Sequence, residues 1–268
     1  MSWGSTTAPR AVPSGLARRA RPLAVGTASL AAGVLLWQLV VTLFDVPDYK
    51  LPSPGQVADR GWELGRDGVL TPHIQQTLAE VTQGVLLGSV IGVVLAALFV
   101  RVRLVERLLM PLIVVAQVTP KISIAPLIVL WLGLGVGSKI ALVTLVSFYP
   151  VLVNTVMRLR SIPKGVDDLS RILKLGPVAR AIKIDLPYSL PAIAAGLRLG
   201  TLAAVTAAVI GEFIGAQSGL GYLERQAQEN DDIQLVIVSL LLLCLLALAL
   251  YALVNLLERI IRTRFGEE

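Results

Sequence analysis

With one cysteine and one histidine in 268 residues, this chain holds almost no material for a disulfide, a metal site or a nucleophilic centre. Cys244 falls inside an apolar run and reads as a small apolar filler, and His73, with no second ligand nearby, reads as a residue of a membrane interface. Charged residues make up only 16% and aromatic residues 5%, and no Gly-x4-Gly-Lys-Ser/Thr run occurs. Gly137-Ser138-Lys139 has the wrong order for a phosphate loop, so energy from nucleotide hydrolysis would have to come from another chain. No metal site and no catalytic residue are expected, and a membrane enzyme is disfavoured.

What is abundant is apolar: 55% of the residues are hydrophobic and the mean hydropathy is +0.75. Crossing a bilayer takes roughly 20 apolar residues. Such stretches lie at about 23–44, 76–99, 109–132, 138–157, 191–213 and 233–257, which predicts an all-α integral membrane protein with about six transmembrane helices. Only the short turn at Gly133–Lys139 separates the third and fourth stretches, so a five-span reading stays open. The first stretch runs past Trp37 to Phe44, longer than the ~7–15 residues of a signal-peptide core.

The basic residues fall on one side. With the amino terminus in the cytoplasm and six spans, 17 of the 24 Lys and Arg are cytoplasmic: Arg10, Arg18, Arg19 and Arg21, Arg101 to Arg107, Arg158 to Lys183, and Arg259 to Arg264. Lys50, Arg60, Arg66, Lys139 and Arg225 lie outside, which is the positive-inside pattern and puts both termini in the cytoplasm. Basic residues so distributed, without interleaved aromatics, do not make a nucleic-acid surface. The stretch from Asp45 to His73 holds five acids against three bases. Within it Ser53-Pro54 starts a short interfacial helix over about 55–66, with Val57, Trp62 and Leu64 laid on the bilayer.

Small residues recur every fourth position in two spans, Gly84, Gly88, Gly92 and Ala96 in the second and Gly196, Gly200, Ala204 and Ala208 in the fifth, which predicts close helix packing there. Pro111, Pro120 and Pro126 each remove a donor from the third span and predict a distorted helix beside a pathway. Lys121, Arg198 and Glu212 are the ionisable groups expected within spans. Arg198 can snorkel to the cytoplasmic surface. Lys121 is expected near the bilayer middle, either pinned to carbonyls freed by Pro120 and Pro126 or to Glu212, or lining a cavity and attracting an anionic or polar solute. An ion-coupled secondary transporter or channel would need such groups and is the alternative reading.

A long polar segment joins the fourth and fifth spans. On a helical wheel Leu169, Ile172, Leu173 and Gly176 share one face, and Asp167, Ser170, Arg171 and Lys174 the other. Asp167 and Asp168 suit the start of such a helix, and Gly176-Pro177 is expected to stop it in a left-handed cap. A structured, basic, partly apolar surface fits a docking element for a soluble partner.

This segment resembles the cytoplasmic coupling loop of membrane subunits of bacterial binding-protein-dependent ABC importers of the type I arrangement. Gly176 matches the loop's glycine, and Ile184-Asp185-Leu186-Pro187 its closing motif. Leu51-Pro-Ser-Pro54, Ala125-Pro126 through Gly135, and Glu212 with Gly219-Leu-Gly-Tyr222 are similar to the nitrate, taurine and alkanesulfonate branch, while Pro120-Lys121 is nearer the vitamin-precursor type. The family's loop glutamate falls on Ser170 and its two alanines on Arg171 and Ile172, and the gap from Gly176 to Pro187 is about two residues short. The resemblance implies a permease that partners a cytoplasmic ABC ATPase dimer, a second permease copy in a homodimer, and an extracytoplasmic solute-binding protein in a bacterial inner membrane. Cofactors are expected only on the ATPase, as ATP and Mg. The organisation it implies is a basic tail at 1–22, a first transmembrane helix and external segment at 23–75, a core permease domain at 76–257 with its coupling loop at 161–190, and a cytoplasmic tail at 258–268.

Overall fold

The structure is a computed structural model that describes the backbone of residues 15–265, and the side chains of residues 26–263 except those at 167 and 171. The expectations placed on Arg10, on the side chains of Arg18, Arg19 and Arg21, and on those of Asp167 and Arg171 lie outside the described residues. All secondary structure among the described residues is helical. In chain order it comprises α1 (Gly15–Leu43), α2 (Pro54–Arg66), α3 (Leu70–Arg101), α4 (Arg103–Val118), α5 (Lys121–Leu132), α6 (Val136–Arg160), α7 (Lys164–Ile172), α8 (Pro177–Arg180), a π-helical turn at Ala181–Asp185, α9 (Leu186–Gly215), α10 (Leu220–Glu229) and α11 (Ile233–Phe265).

The chain divides into two compact units, residues 1–58 and 59–268. In the first, Gly26–Leu43 of α1 is apolar enough to span a membrane and none of its side chains is buried. Trp37 donates from Nε1 to the carbonyl of Pro52 at 3.1 Å, tying the end of α1 to the chain that follows. α2 begins with a capping box: Ser53 Oγ accepts from the Gln56 amide at 3.3 Å, and Gln56 Oε1 accepts from the Ser53 amide at 2.7 Å. The expected short helix is therefore present, but its apolar residues do not lie on lipid. Val57 and Leu64 are buried and only Trp62 is exposed, because the helix turns its apolar stripe inward, as a helix on a protein does.

The second unit is a helical bundle organised around α6. Both small-residue stripes pack on this one helix. α3 brings Gly84, Gly88, Gly92 and Ala96 to it, and α9 brings Gly196, Gly200, Ala204 and Ala208. The approach is so close that a methyl group added at Gly92 would stand 2.7 Å from the Phe148 carbonyl, and one at Gly196 2.7 Å from the Pro150 carbonyl. Ser147 lies between the stripes and donates to the Gly84 carbonyl at 3.3 Å. Where lipid supplies no hydrophobic drive between helices, contact at this range and hydrogen bonds of this kind hold them together. α11 packs against α9, and α10 caps α3, α9 and α11 at one end of the bundle.

Among the described residues five helical segments are long and apolar enough to cross a membrane; the third expected span is not one helix but the pair α4 and α5, bent by 107°. Of its three prolines only Pro120 breaks the helix. It has no amide hydrogen and forces Thr119 out of the helical region, to φ −61° and ψ 130°. Pro111 and Pro126 stay inside α4 and α5. The expected distortion is thus real, and a bend this sharp makes the pair a broken span or a re-entrant loop.

Candidate functional site

At the break, Lys121 begins α5 and turns back on the end of α4. Its ammonium donates to the carbonyls of Ala116 at 3.3 Å and Thr119 at 3.2 Å, and to that of Gln117. These are among the carbonyls left without helical partners at a C-terminus, where the dipole also favours a cation. Lys121 lines a cavity of about 410 Å³ together with Gln117, Tyr149, Pro150 and Thr206 and with Val146, Ala203, Ala207 and Ile210 of α6 and α9. The ammonium is thus bonded to carbonyls at the end of α4, and the same side chain borders the cavity. The expected pairing with Glu212 is not made: Glu212 and Pro126 stand apart from this cavity.

Glu212 belongs instead to a buried polar cluster at the α10 end of the bundle. It is fully buried near the end of α9. Oε1 accepts from Thr77 Oγ1 at 2.6 Å, Oε2 accepts from the Gly221 amide at 2.5 Å, and Thr77 Oγ1 in turn accepts from the Leu220 amide at 2.8 Å. The carboxylate thus holds the Gly221 amide of α10, while Thr77 holds the Leu220 amide and links the carboxylate to α3. Gly219, at φ +120°, makes the turn possible, since a methyl group there would run into the Glu212 carboxylate. Beside it the buried Lys139 donates to the carbonyls of Leu134 at 2.6 Å, Gly135 at 3.1 Å and Gly215 at 2.8 Å, closing the C-terminal ends of α5 and α9. Glu80, also buried, accepts from Gln76 at 2.8 Å. On α10 itself, burial pushes the Glu224 carboxyl up from its ordinary range.

Four sequence expectations are corrected here. Lys139 is not part of an exposed turn, because α6 resumes at Val136 and carries it inward. Glu80 and Lys139 join Lys121, Arg198 and Glu212 as ionisable groups within the spans, and the signal was a charge inside an apolar stretch. Arg198 is not merely snorkelling: it pairs with the buried Glu258 of α11 at 3.1 Å, which also holds Arg262 at 2.9 Å. His73 is likewise half-buried and engaged, with Nδ1 at 3.1 Å from the Gly219 carbonyl and its ring stacked on Tyr222 at 5.9 Å.

The segment between α6 and α9 contains the expected amphipathic helix, α7, with Leu169, Ile172 and Leu173 exposed. Its stop is not at Gly176. Lys174 takes the left-handed conformation, φ 48°, and the Leu175 amide bonds to the Ser170 carbonyl at 3.1 Å, the reach of a Schellman cap. Gly176 is extended, at φ −65° and ψ 161°, and a side chain added to it meets nothing within 4 Å. Ser170, expected on the polar face, is buried and accepts from Arg180 Nη1 at 3.4 Å. Asp168 is exposed, Leu186 is partly exposed and opens α9, and Pro187 sits in the first turn of α9, where its missing donor costs nothing.

What anchors the segment is a group of residues the motif did not single out. Asp185 pairs with Arg101 of α3 at 3.0 Å and with Arg180 at 3.5 Å, and Arg101 also reaches the Pro177 carbonyl at 3.2 Å. Arg158 of α6 stacks on Tyr188 at 4.0 Å and donates to its carbonyl at 3.2 Å. The π-helical turn at Ala181–Asp185 joins this anchored segment directly to α9, the helix that lines the cavity.

A sharply bent helix pair beside a cavity and an anchored amphipathic helix between two long apolar helices are the architecture of a multi-pass membrane protein. Residues 88–266 match the family of binding-protein-dependent transport system inner membrane components, and the chain belongs to that family. It is 38% identical over 224 residues to a probable ABC transporter permease protein of Haemophilus influenzae, covering 83% of this chain and 91% of that one. It is 36% identical over 228 residues to the riboflavin transport system permease protein RibX of Chloroflexus aurantiacus, covering 85% of each. A solved structure of the MetNI methionine ABC transporter in an inward-facing conformation superposes with a TM-score of 0.61 over 74% of this chain and 98% of that one; at 21% identity it speaks for the fold alone. The protein is an ABC importer permease with a type I fold, and the secondary-transporter alternative falls.

Proposed function

We propose that this permease moves a small polar solute through the cavity at the α4–α5 break, the observation that carries the reading being the Lys121-closed cavity between α6 and α9. The charge of Lys121 gives the cavity a positive potential, but its protons are engaged by three carbonyls. The Gln117 amide nitrogen is likewise held by the Leu145 carbonyl at 2.9 Å, which leaves Tyr149 and Thr206 to meet the solute and favours a polar, uncharged heterocycle over a compact anion. The relative named for riboflavin transport points the same way. In this reading both termini and residues 161–190 are cytoplasmic. α7 docks by its exposed apolar face on an ABC ATPase dimer that carries ATP and Mg. A second copy completes a homodimer, and an extracytoplasmic binding protein delivers the solute. The chain itself performs no covalent chemistry.

Uptake of tritiated solute by proteoliposomes holding the assembled transporter tests the pathway. Lys121→Met leaves carbonyls that cavity water can solvate, so assembly and ATPase recovery remain normal while KM for uptake shifts at least several-fold. Thr206→Leu fills the cavity and lowers kcat. Unchanged uptake in both well-assembled variants would place the pathway elsewhere. Orientation is tested by cysteine labelling in a Cys244→Ala background: Asp59→Cys should react with an impermeant maleimide in intact cells and Asp168→Cys only after lysis. Labelling of both in intact cells would overturn the topology.

A further inference from the structure

A cleft of about 1040 Å³ lies where the ends of α3, α4 and α6 meet, at the coupling-segment end of the bundle, and shares no lining residue with the cavity described above. Its polar rim is basic. Arg103 and Arg107 lie one turn apart on α4, and Arg160 comes from the end of α6. Glu106 is the acid among the lining residues, and it is taken up by Arg160 at 2.5 Å. Arg103 and Arg107 are exposed and have no side-chain hydrogen bond or ion pair among the described residues, so the cleft carries two uncompensated positive charges. Deeper in, the same face of α4 is apolar, with Met110, Pro111 and Val114.

The length of this stripe decides what fits it. From Arg103 to Val114 is a rise of about 16 Å at ~1.5 Å per residue, close to half of the ~30 Å hydrocarbon core. The cleft therefore offers cations at a membrane surface and an apolar wall one leaflet deep. A free anion would use the cations and leave the wall empty. An anionic phospholipid uses both parts, phosphate on the arginines and acyl chain along the stripe, and basic pockets between spans on the cytoplasmic side are where such headgroups bind.

We infer that this cleft binds an anionic phospholipid of the cytoplasmic leaflet. The assignment of the leaflet rests on the orientation proposed above. Each arginine near a membrane surface contributes about 1 kcal/mol to holding an anionic lipid, so removing two weakens retention by roughly 30-fold.

Native mass spectrometry of the assembled transporter, purified in detergent and titrated with phosphatidylglycerol or phosphatidylcholine, reads this directly. The wild type should retain phosphatidylglycerol in preference to phosphatidylcholine. Arg103→Gln with Arg107→Gln should lose that preference, whereas Arg66→Gln, an exposed arginine far along the chain from the cleft, should keep it. Because the double variant could disturb the helix end, Val114→Trp, which fills the apolar part and leaves both charges, should also lower retention. Three results would overturn the inference: wild-type retention in the double variant, equal displacement by millimolar inorganic phosphate (a free-anion site), or Arg107→Cys forming a disulfide between copies (a subunit interface). Retention in detergent does not depend on orientation. Cysteine labelling that reversed the topology would move the lipid to the other leaflet, while loss of retention with the topology upheld would remove the site itself.

Discussion

Gly196→Leu prevents the permease from folding into a stable bundle. The reason is that its neighbours across the interface are backbone atoms. A methyl group at this position would lie 2.7 Å from the Pro150 carbonyl oxygen and 2.7 Å from the α-carbon of Val151, and neither can swing aside as the tip of a side chain would. Overpacking a well-filled core costs about 1–3 kcal/mol even where side chains can give. Here α9 must move off α6 bodily, losing the rest of the stripe at Gly200, Ala204 and Ala208, so the cost is at least ~3 kcal/mol. Gly92→Leu does the same on the α3 side, against the Phe148 carbonyl and the Leu152 amide. Gly137 and Gly176 have nothing within 4 Å, so Gly137→Leu and Gly176→Leu serve as controls of equal chemistry. Thermal unfolding of the detergent-purified chain, followed by size-exclusion monodispersity, should show Tm lowered by about 10 °C or more, or no monodisperse material, for Gly196→Leu and Gly92→Leu. The controls should stay near the wild type. A monodisperse Gly196→Leu with wild-type Tm would mean that α6 and α9 are not in contact through this stripe.

These stripes were readable in advance because a four-residue period in a helix is a face. The sequence could not say that both faces meet the same helix. Nothing in α6 marks it as the centre, since it carries Ser147, Thr155 and Pro150 on its surfaces and a glycine only in its first turn. The break at Pro120 was legible as distortion, but not that Pro111 and Pro126 would be absorbed. In the coupling segment the amphipathic face of α7 was plain from residue spacing. The stop was misread because glycine is the usual left-handed residue. The cap is closed by the backbone bond from Leu175 to Ser170, which puts the strain on Lys174. Ser170 is likewise inside because Arg180, ten residues on, reaches back to it, a contact made by the fold of the whole segment. Lys139 shows the same limit from the other side. Three glycines before it read as a turn, but one of its partners, the Gly215 carbonyl, belongs to α9, which meets it only in the folded bundle.

Glu212→Ala unlatches α10 and lowers the stability of the whole bundle. The carboxylate is completely buried and serves two donors, the hydroxyl of Thr77 and the amide of Gly221. Truncation leaves both without an acceptor in a space too closed by Gly219 and Gly221 for easy repair. An unsatisfied buried donor costs about 1–3 kcal/mol, so the pair places the loss at roughly 2–6 kcal/mol. Glu212→Gln separates shape from charge. Its amide oxygen can still accept from one donor, but its NH2 group faces the other, so the loss should be about half that of alanine. The order of Tm is therefore wild type, then Gln, then Ala, with Thr77→Val, which keeps the volume and removes the link to the Leu220 amide, near the Gln variant. Stability alone would not tell a latch from a general core residue. Hydrogen exchange does: the amides of Leu220 and Gly221 should lose protection in Glu212→Ala under conditions where those in the middle of α3 and α6 keep theirs, because the end of the bundle opens before its centre. Continued protection of Gly221 in a Glu212→Ala protein of wild-type Tm would show that α10 is held by its apolar face on α11 and that the carboxylate is not its clasp.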